Sequence, residues 1–264
     1  VAAANPLATD AGYQVLKAGG SAIDAAIAVQ MVLTLVEPQS SGIGGGAFLM
    51  HYNGKDVEAF DGRETAPAAA DEKLFIGADG KPMQFYDAVV GGRSVGTPGT
   101  LRVLEMAHQQ YGKLPWSALF QPAINLAENG FKVSARLNTL AQAEQHLKKD
   151  PTAAAYFYQP DGNAVAVGTT LRNPELAAVL KRVAAEGTKA FYEGDIAQAI
   201  VQKVQSHPSN PGKLSVADLA GYKPVKRAAL CTDYRAQQRD YRLCGFPPPS
   251  SGAIAIGQIL GMLN

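Results

Sequence analysis

Arg63 is the side chain in this sequence whose setting most invites chemistry, because it stands in the run Asp61-Gly-Arg-Glu-Thr-Ala-Pro67 with an acid on either side. A guanidinium meets a carboxylate with two parallel charge-assisted hydrogen bonds, which fix orientation as well as charge. Spacing alone favours a plainer role, a surface arginine in a local ion pair with Asp61 or Glu64, since exposed pairs are common and weak. Upstream, Gly42-Ile-Gly44-Gly-Gly46 invites a nucleotide-binding reading, but that fingerprint needs a strand before the glycines and a helix after them. Here the order is helix, glycines, strand. The glycines therefore read as a tight backbone passage, where positive φ or the close approach of another segment or a substrate is allowed.

The other reactive side chains exclude more than they suggest. His51, His108, His146 and His207 are scattered, none with a second ligand at helical spacing, so no metal site is expected. Neither cysteine has a nearby histidine, and no catalytic nucleophile is assigned within this chain. Cys231 and Cys244 flank a segment whose middle, residues 236–239, reads as a turn between two strands. A disulfide across the pair and two half-buried free thiols fit that pattern equally well.

The elements that must position these residues follow from pattern. With 264 residues, 47% of them hydrophobic, the chain can bury a real core, and residues 1–264 read as a single domain with no linker or repeat. Asn5-Pro6 opens a first helix that Gly19-Gly20 ends. Ser21 and Asp24 form a capping-box-like start to a second, apolar nearly all round, which Pro38 stops. Two strands follow, residues 47–52 and about 56–61, joined by Asn53-Gly54. Neither alternates cleanly between apolar and polar, which predicts a sheet covered on both faces in a layered sandwich. Helices are then predicted from Thr97-Pro98 to about 110, from Pro115 to 129, from Ser134 to about 147, from Asn173-Pro174 to about 187, over 195–205 and over a short 215–220 turn. A last helix, from about Ser251 to the end, shows no stop signal, so the domain is expected to continue beyond Asn264.

A formal net charge of +1, with no run of Lys or Arg longer than two, gives no footprint for nucleic acid or anionic membranes. The longest apolar stretch, Ala22–Val36, is too short to span a bilayer and is interrupted by Asp24, Gln30 and Thr34. The start at Val1 carries no signal-peptide pattern and reads as processed or trimmed.

The helix pair, glycine passage and hairpin, then Arg63-Glu-Thr-Ala-Pro67, Gly96-Thr-Pro-Gly99 and the Pro-Pro-Pro-Ser-Ser-Gly of residues 247–252, resemble in the same order the large subunit of γ-glutamyltranspeptidases, members of the N-terminal-nucleophile hydrolases. The resemblance covers essentially the whole chain. It implies an α+β fold, part of an αββα sandwich completed by a small subunit cut from the same precursor, with this part mostly helical. It also implies a γ-glutamyl transferase and hydrolase acting on glutathione and related amides, with amino-acid or peptide acceptors, no cofactor, and a periplasmic or secreted location.

In that family a Thr freed by self-cleavage begins the small subunit and attacks the γ-glutamyl carbonyl, its own α-amino group serving as base; such a group titrates near neutrality. Val1 has no hydroxyl and cannot play that part, so the chain alone is expected to be inactive. Arg63 carries over as the clamp for the substrate α-carboxylate. Ser250 and Ser251 are not the family's paired serines and read as a turn and helix cap. Ala253 stands where family members often have a second glycine. Two alternatives are a cephalosporin- or glutaryl-acylase-like amidase of the same family, and a nonenzymatic remnant domain.

Overall fold

A computed structural model describes residues 1–263. In chain order the elements are α1 (Pro6–Lys17), α2 (Ala22–Val36), β1 (Ala47–Tyr52), β2 (Val57–Gly62), α3 (Phe85–Val89), α4 (Thr100–Tyr111), a 3-10 turn (Trp116–Phe120), α5 (Gln121–Asn129) and β3 (Phe131–Lys132). There follow α6 (Ala135–Ala143), α7 (Pro151–Phe157), β4 (Thr170–Leu171), α8 (Pro174–Glu186), α9 (Lys189–Tyr192), α10 (Gly194–Gln205), α11 (Val216–Gly221), β5 (Val225–Ala228), β6 (Leu230–Ala236), β7 (Arg239–Gly245) and α12 (Gly252–Leu263). The fold is α+β and mostly helical, as expected. No helix among the described residues is long and apolar enough to cross a membrane.

The helical pair α1–α2 is fixed at both ends by buried polar groups. Asn5 caps α1 by accepting from the Leu7 N–H, and its Nδ2 donates to Oε1 of buried Glu37, just past α2. Arg136 of α6 donates to the other Glu37 oxygen at 3.1 Å. At the opposite end Ser21 and Asp24 form the expected capping box. Asp24 is fully buried, and its Oδ2 also accepts the N–H groups of Lys113 and Leu114, which ties the loop after α4 to the start of α2. Burial by itself would raise the Asp24 pKa, but the hydrogen bonds from Ser21, Lys113 and Leu114 outweigh it and the group lies below its ordinary value.

Around α2 a contiguous core brings together Ile27, Met31 and Leu35 with Leu101, Leu119, Phe120 and Leu180, all but excluded from water. Trp116 is anchored there by an Nε1 bond to the Val183 carbonyl. On one side lies a three-stranded antiparallel sheet in the order β1-β2-β5. Phe60 and Gly62 of β2 pack against α4, where Tyr111 meets Phe60 edge-on. The opposite face presents Phe48, Met50, Tyr52 and Val225, all exposed.

Within this chain that face is left uncovered. Burial along β1 does alternate, but the outward residues are themselves apolar, so the hydropathy pattern hides the alternation. Other boundaries also shift. The helix expected at Thr97-Pro98 begins at Thr100, because Thr97 is committed to paired backbone hydrogen bonds with Thr65. The helix expected to reach residue 147 stops at Ala143, where the Tyr158 hydroxyl has taken the Ala141 carbonyl. The segment expected as one helix from Pro115 opens as the 3-10 turn before α5. Helix α7 is announced by Asp150-Pro151, a capping pair the sequence reading passed over.

Cys231 and Cys244 are directly opposed in the β6–β7 register and joined by a disulfide, which resolves the two readings left open. The hairpin turns through Gln237 and Gln238, both at positive φ (48° and 64°), the geometry in which Asn-Gly is favoured. Helix α12 packs on this hairpin, with Gly257 admitting Thr232 and the Ala253 methyl seated against Gly245. Its Ile256, Ile259 and Met262 are exposed.

Two outcomes follow for the complete protein. Asp24→Ala removes the acceptor shared by the N–H groups of Ser21, Lys113 and Leu114 and should lower stability by about 3 kcal/mol or more in urea unfolding. Because the folded-state pKa of Asp24 is lowered, its ionised form contributes fully above the unfolded pKa of about 3.9. The gap between wild type and variant should therefore narrow as pH falls from there through the lower folded-state value. Replacing Gln237-Gln238 by Asn-Gly relieves the left-handed backbone and should add about 0.5–1 kcal/mol, read as a higher unfolding midpoint.

Candidate functional site

The surroundings of Arg63 are assembled from three backbone segments that approach more closely than side chains would permit. The Gly45 carbonyl accepts the N–H groups of Gly99 and Thr100 at 2.9 and 3.1 Å, so the glycine passage receives the first turn of α4. A Cβ on Gly99 would collide with the Gly62 carbonyl and the Tyr222 phenol, and one on Gly62 would collide with Val103. At Gly46 a Cβ would lie 2.5 Å from a carboxylate oxygen of Glu64 and 2.7 Å from the Gly62 carbonyl. The expected tight passage is thus present at Gly45-Gly46. None of Gly42, Gly44, Gly45 and Gly46 adopts positive φ; close approach accounts for Gly46, whereas nothing crowds Gly42 or Gly44.

Arg63 emerges where β2 ends, beside this junction. Its N–H donates to Asp61 Oδ1 at 2.9 Å and its carbonyl accepts the Tyr222 hydroxyl at 2.8 Å. Asp61 Oδ2 accepts Nε of Arg227, on β5, at 2.7 Å. The local ion pair expected from spacing is therefore not formed: the Asp61 carboxylate is occupied by a residue 166 positions away. Among the described residues the Arg63 guanidinium has no carboxylate partner; it sits 6.0 Å from the centroid of the Phe48 ring. Phe48 in turn stacks on Phe246 at 4.1 Å.

An exposed guanidinium over an aromatic ring, with a fixed backbone and no internal counter-charge, is equipped to receive a carboxylate from outside the chain. Tyr222 is buried beneath it, and burial together with the nearby charges of Asp61 and Glu64 pushes its pKa up to about 12. It is a neutral donor at physiological pH. A cleft of about 1370 Å³ lies elsewhere, lined by Tyr86, His146, Lys203 and Asn210, and Arg63 is not among its walls.

The remaining candidates separate cleanly. His51 stacks on Tyr111, His108 faces Asp24, His146 stacks on Tyr86 and His207 accepts the Asn210 N–H. Ser250 closes a turn onto the Pro247 carbonyl and the Ser251 carbonyl takes the first bond of α12. What sequence reading missed is the long-range support of Arg63, namely Tyr222 and Arg227. Only the Ser215-x-x-Asp218 cap of α11 was legible nearby.

Comparison with known proteins bears on this arrangement as a whole. The family model described as Gamma-glutamyltranspeptidase matches residues 8–264. The chain is 40% identical to the glutathione hydrolase proenzyme of Bacillus subtilis (strain 168), covering all of this chain and 44% of that protein. It thus spans less than half the length of that relative. Among solved structures it is similar to Helicobacter pylori gamma-glutamyltranspeptidase, with a TM-score of 0.91 and 32% identity over 99% of this chain and 73% of that one. Similarity also extends to cephalosporin acylase from Bacillus halodurans, with a TM-score of 0.82 and 32% identity over 96% of this chain and 46% of that one. A match along nearly its whole length, in sequence and in fold, means that the chain belongs to the gamma-glutamyltranspeptidase family.

Proposed function

We propose that this chain is the large-subunit part, as one domain over residues 1–264, of a γ-glutamyl transferase and hydrolase that cleaves glutathione and other γ-glutamyl amides. The observation that carries this reading is the unpaired guanidinium of Arg63, held by its backbone at the end of β2 on the uncovered face of the sheet. In this role it clamps the α-carboxylate of the γ-glutamyl group with two hydrogen bonds and so fixes the γ-carbonyl for attack. The attacking hydroxyl belongs to a Thr that begins the small subunit, with its α-amino group taking the proton. The amine then leaves with a proton, and water or an amino-acid or peptide acceptor takes the acyl group from the Thr ester, restoring the hydroxyl.

The small subunit is the partner that would cover the exposed apolar side chains Phe48, Met50 and Tyr52 of β1 and Ile256, Ile259 and Met262 of α12. Its walls would also enclose Arg63, which lies outside the cleft beside Tyr86 and His146. The disulfide between Cys231 and Cys244 supports an oxidising compartment, periplasmic or extracellular.

A second reading, a cephalosporin- or glutaryl-acylase-like amidase, is favoured by the likeness to the Bacillus halodurans enzyme. Its substrate side chain also ends in a carboxylate, so Arg63 serves either chemistry. The discriminating experiment runs γ-glutamyl and glutaryl anilides in parallel on the complete, self-cleaved precursor and follows the released chromophore. Turnover of the γ-glutamyl compound is expected, and turnover of the glutaryl compound alone would select the acylase. Arg63→Ala should cost about 2–5 kcal/mol, which is about 30-fold or more in kcat/KM, and Arg63→Lys should lose less because the charge remains. A change below about threefold for Arg63→Ala would remove the clamp from the scheme.

A further inference from the structure

The side chain of Arg63 reaches into solvent, so its aim is set by the few groups that hold its backbone. On one side Asp61 accepts its N–H, and Asp61 is itself held by Arg227. On the other side, the Tyr222 hydroxyl donates to its carbonyl at 2.8 Å. Tyr222 immediately follows α11, a helix that also reaches the far end of the same segment, where Asp218 Oδ1 accepts the Ala68 N–H at 2.9 Å. One short helix, about 150 residues downstream, therefore spans the Arg63–Ala68 run and bonds it at both ends.

The phenol is positioned with equal care. Gly99 leaves the space that it fills, since any Cβ there would strike the phenolic oxygen. The Tyr222 ring is stacked on Tyr192 at 6.2 Å and 16°, and the Tyr192 hydroxyl donates to the Pro98 carbonyl. Rotation of Tyr222 away from Arg63 is blocked on these sides. The hydroxyl thus meets the Arg63 carbonyl as a rigid strut between the α4 entry and the end of β2.

We infer that Tyr222 is a positioning residue for substrate-carboxylate recognition: its hydroxyl fixes the backbone from which Arg63 reaches, and so sets the donor affinity of the site without touching substrate. This rests on the clamp reading of Arg63. It calls for Tyr222→Phe, which deletes one oxygen and leaves the ring stack intact, in the complete self-cleaving precursor, alone and combined with Arg63→Ala.

The expected result is a KM for a γ-glutamyl anilide raised about five- to tenfold with kcat within about threefold. In the Arg63→Ala background the same substitution should change KM by less than about twofold, because the residues act as one unit. If Arg63→Ala raises KM and Tyr222→Phe does not, or if the two effects simply multiply, the positioning role is overturned while the clamp stands. If Arg63→Ala has no effect, the clamp reading fails and this inference with it. Deuterium uptake of the peptide containing residues 61–68 gives a second readout that does not need maturation. Faster exchange in Tyr222→Phe is expected, and unchanged uptake overturns the role.

Discussion

The Gly45 carbonyl, taking two N–H groups from the start of α4, is the contact on which the rest of the arrangement depends. Three stretches of bare backbone meet there, the glycine passage, the end of β2 and the entry to α4, and they can meet only because Gly46, Gly62 and Gly99 present no side chains to one another. A backbone junction of this kind has little slack. Hydrogen bonds and steric contact specify its geometry together, so the residue that leaves it, Arg63, departs from a defined point and direction. Binding sites profit from such rigidity because less freedom remains to be lost when the ligand arrives.

The chain also divides its apolar surface unevenly. Around α2 lies the main core, where the buried polar groups Asp24 and Glu37 accept hydrogen bonds from elements distant in sequence. The outer face of the sheet and the disulfide-linked hairpin with α12 are different: aliphatic and aromatic side chains stand in the open, with Phe48 on Phe246 bridging the two regions. Arg63 lies at that border. Its guanidinium belongs to the exposed side and its backbone to the packed one, a division of labour that lets one residue be both firmly held and freely presented.

Much of this was legible in the sequence because it is written locally. Caps at Asn5 and Ser21, the Asn53-Gly54 turn, the stop at Pro38 and the Asn173-Pro174 start each act within a few residues, and each appears where expected. The paired cysteines were legible as opposite one another, though not as bonded. Local spacing misled at Arg63, where the neighbouring acid was expected as its partner and instead binds Arg227. Such exchanges between residues more than 150 positions apart leave no periodic or capping signal. The same holds for Tyr222, whose role is visible only once α11 is seen lying along residues 63–68.

The distance along the chain between Arg63 and its supports also imposes an order in time. During synthesis the strand that carries Arg63 leaves the ribosome well before α11, Tyr222 and Arg227, and closing so long a loop carries an entropic cost that only late-arriving contacts can offset. The helical pair and its hairpin can collapse early around α2. The anion-receiving element cannot take its final shape until more than 220 residues have emerged, so a nascent chain would hold a folded interior before it holds a finished recognition surface.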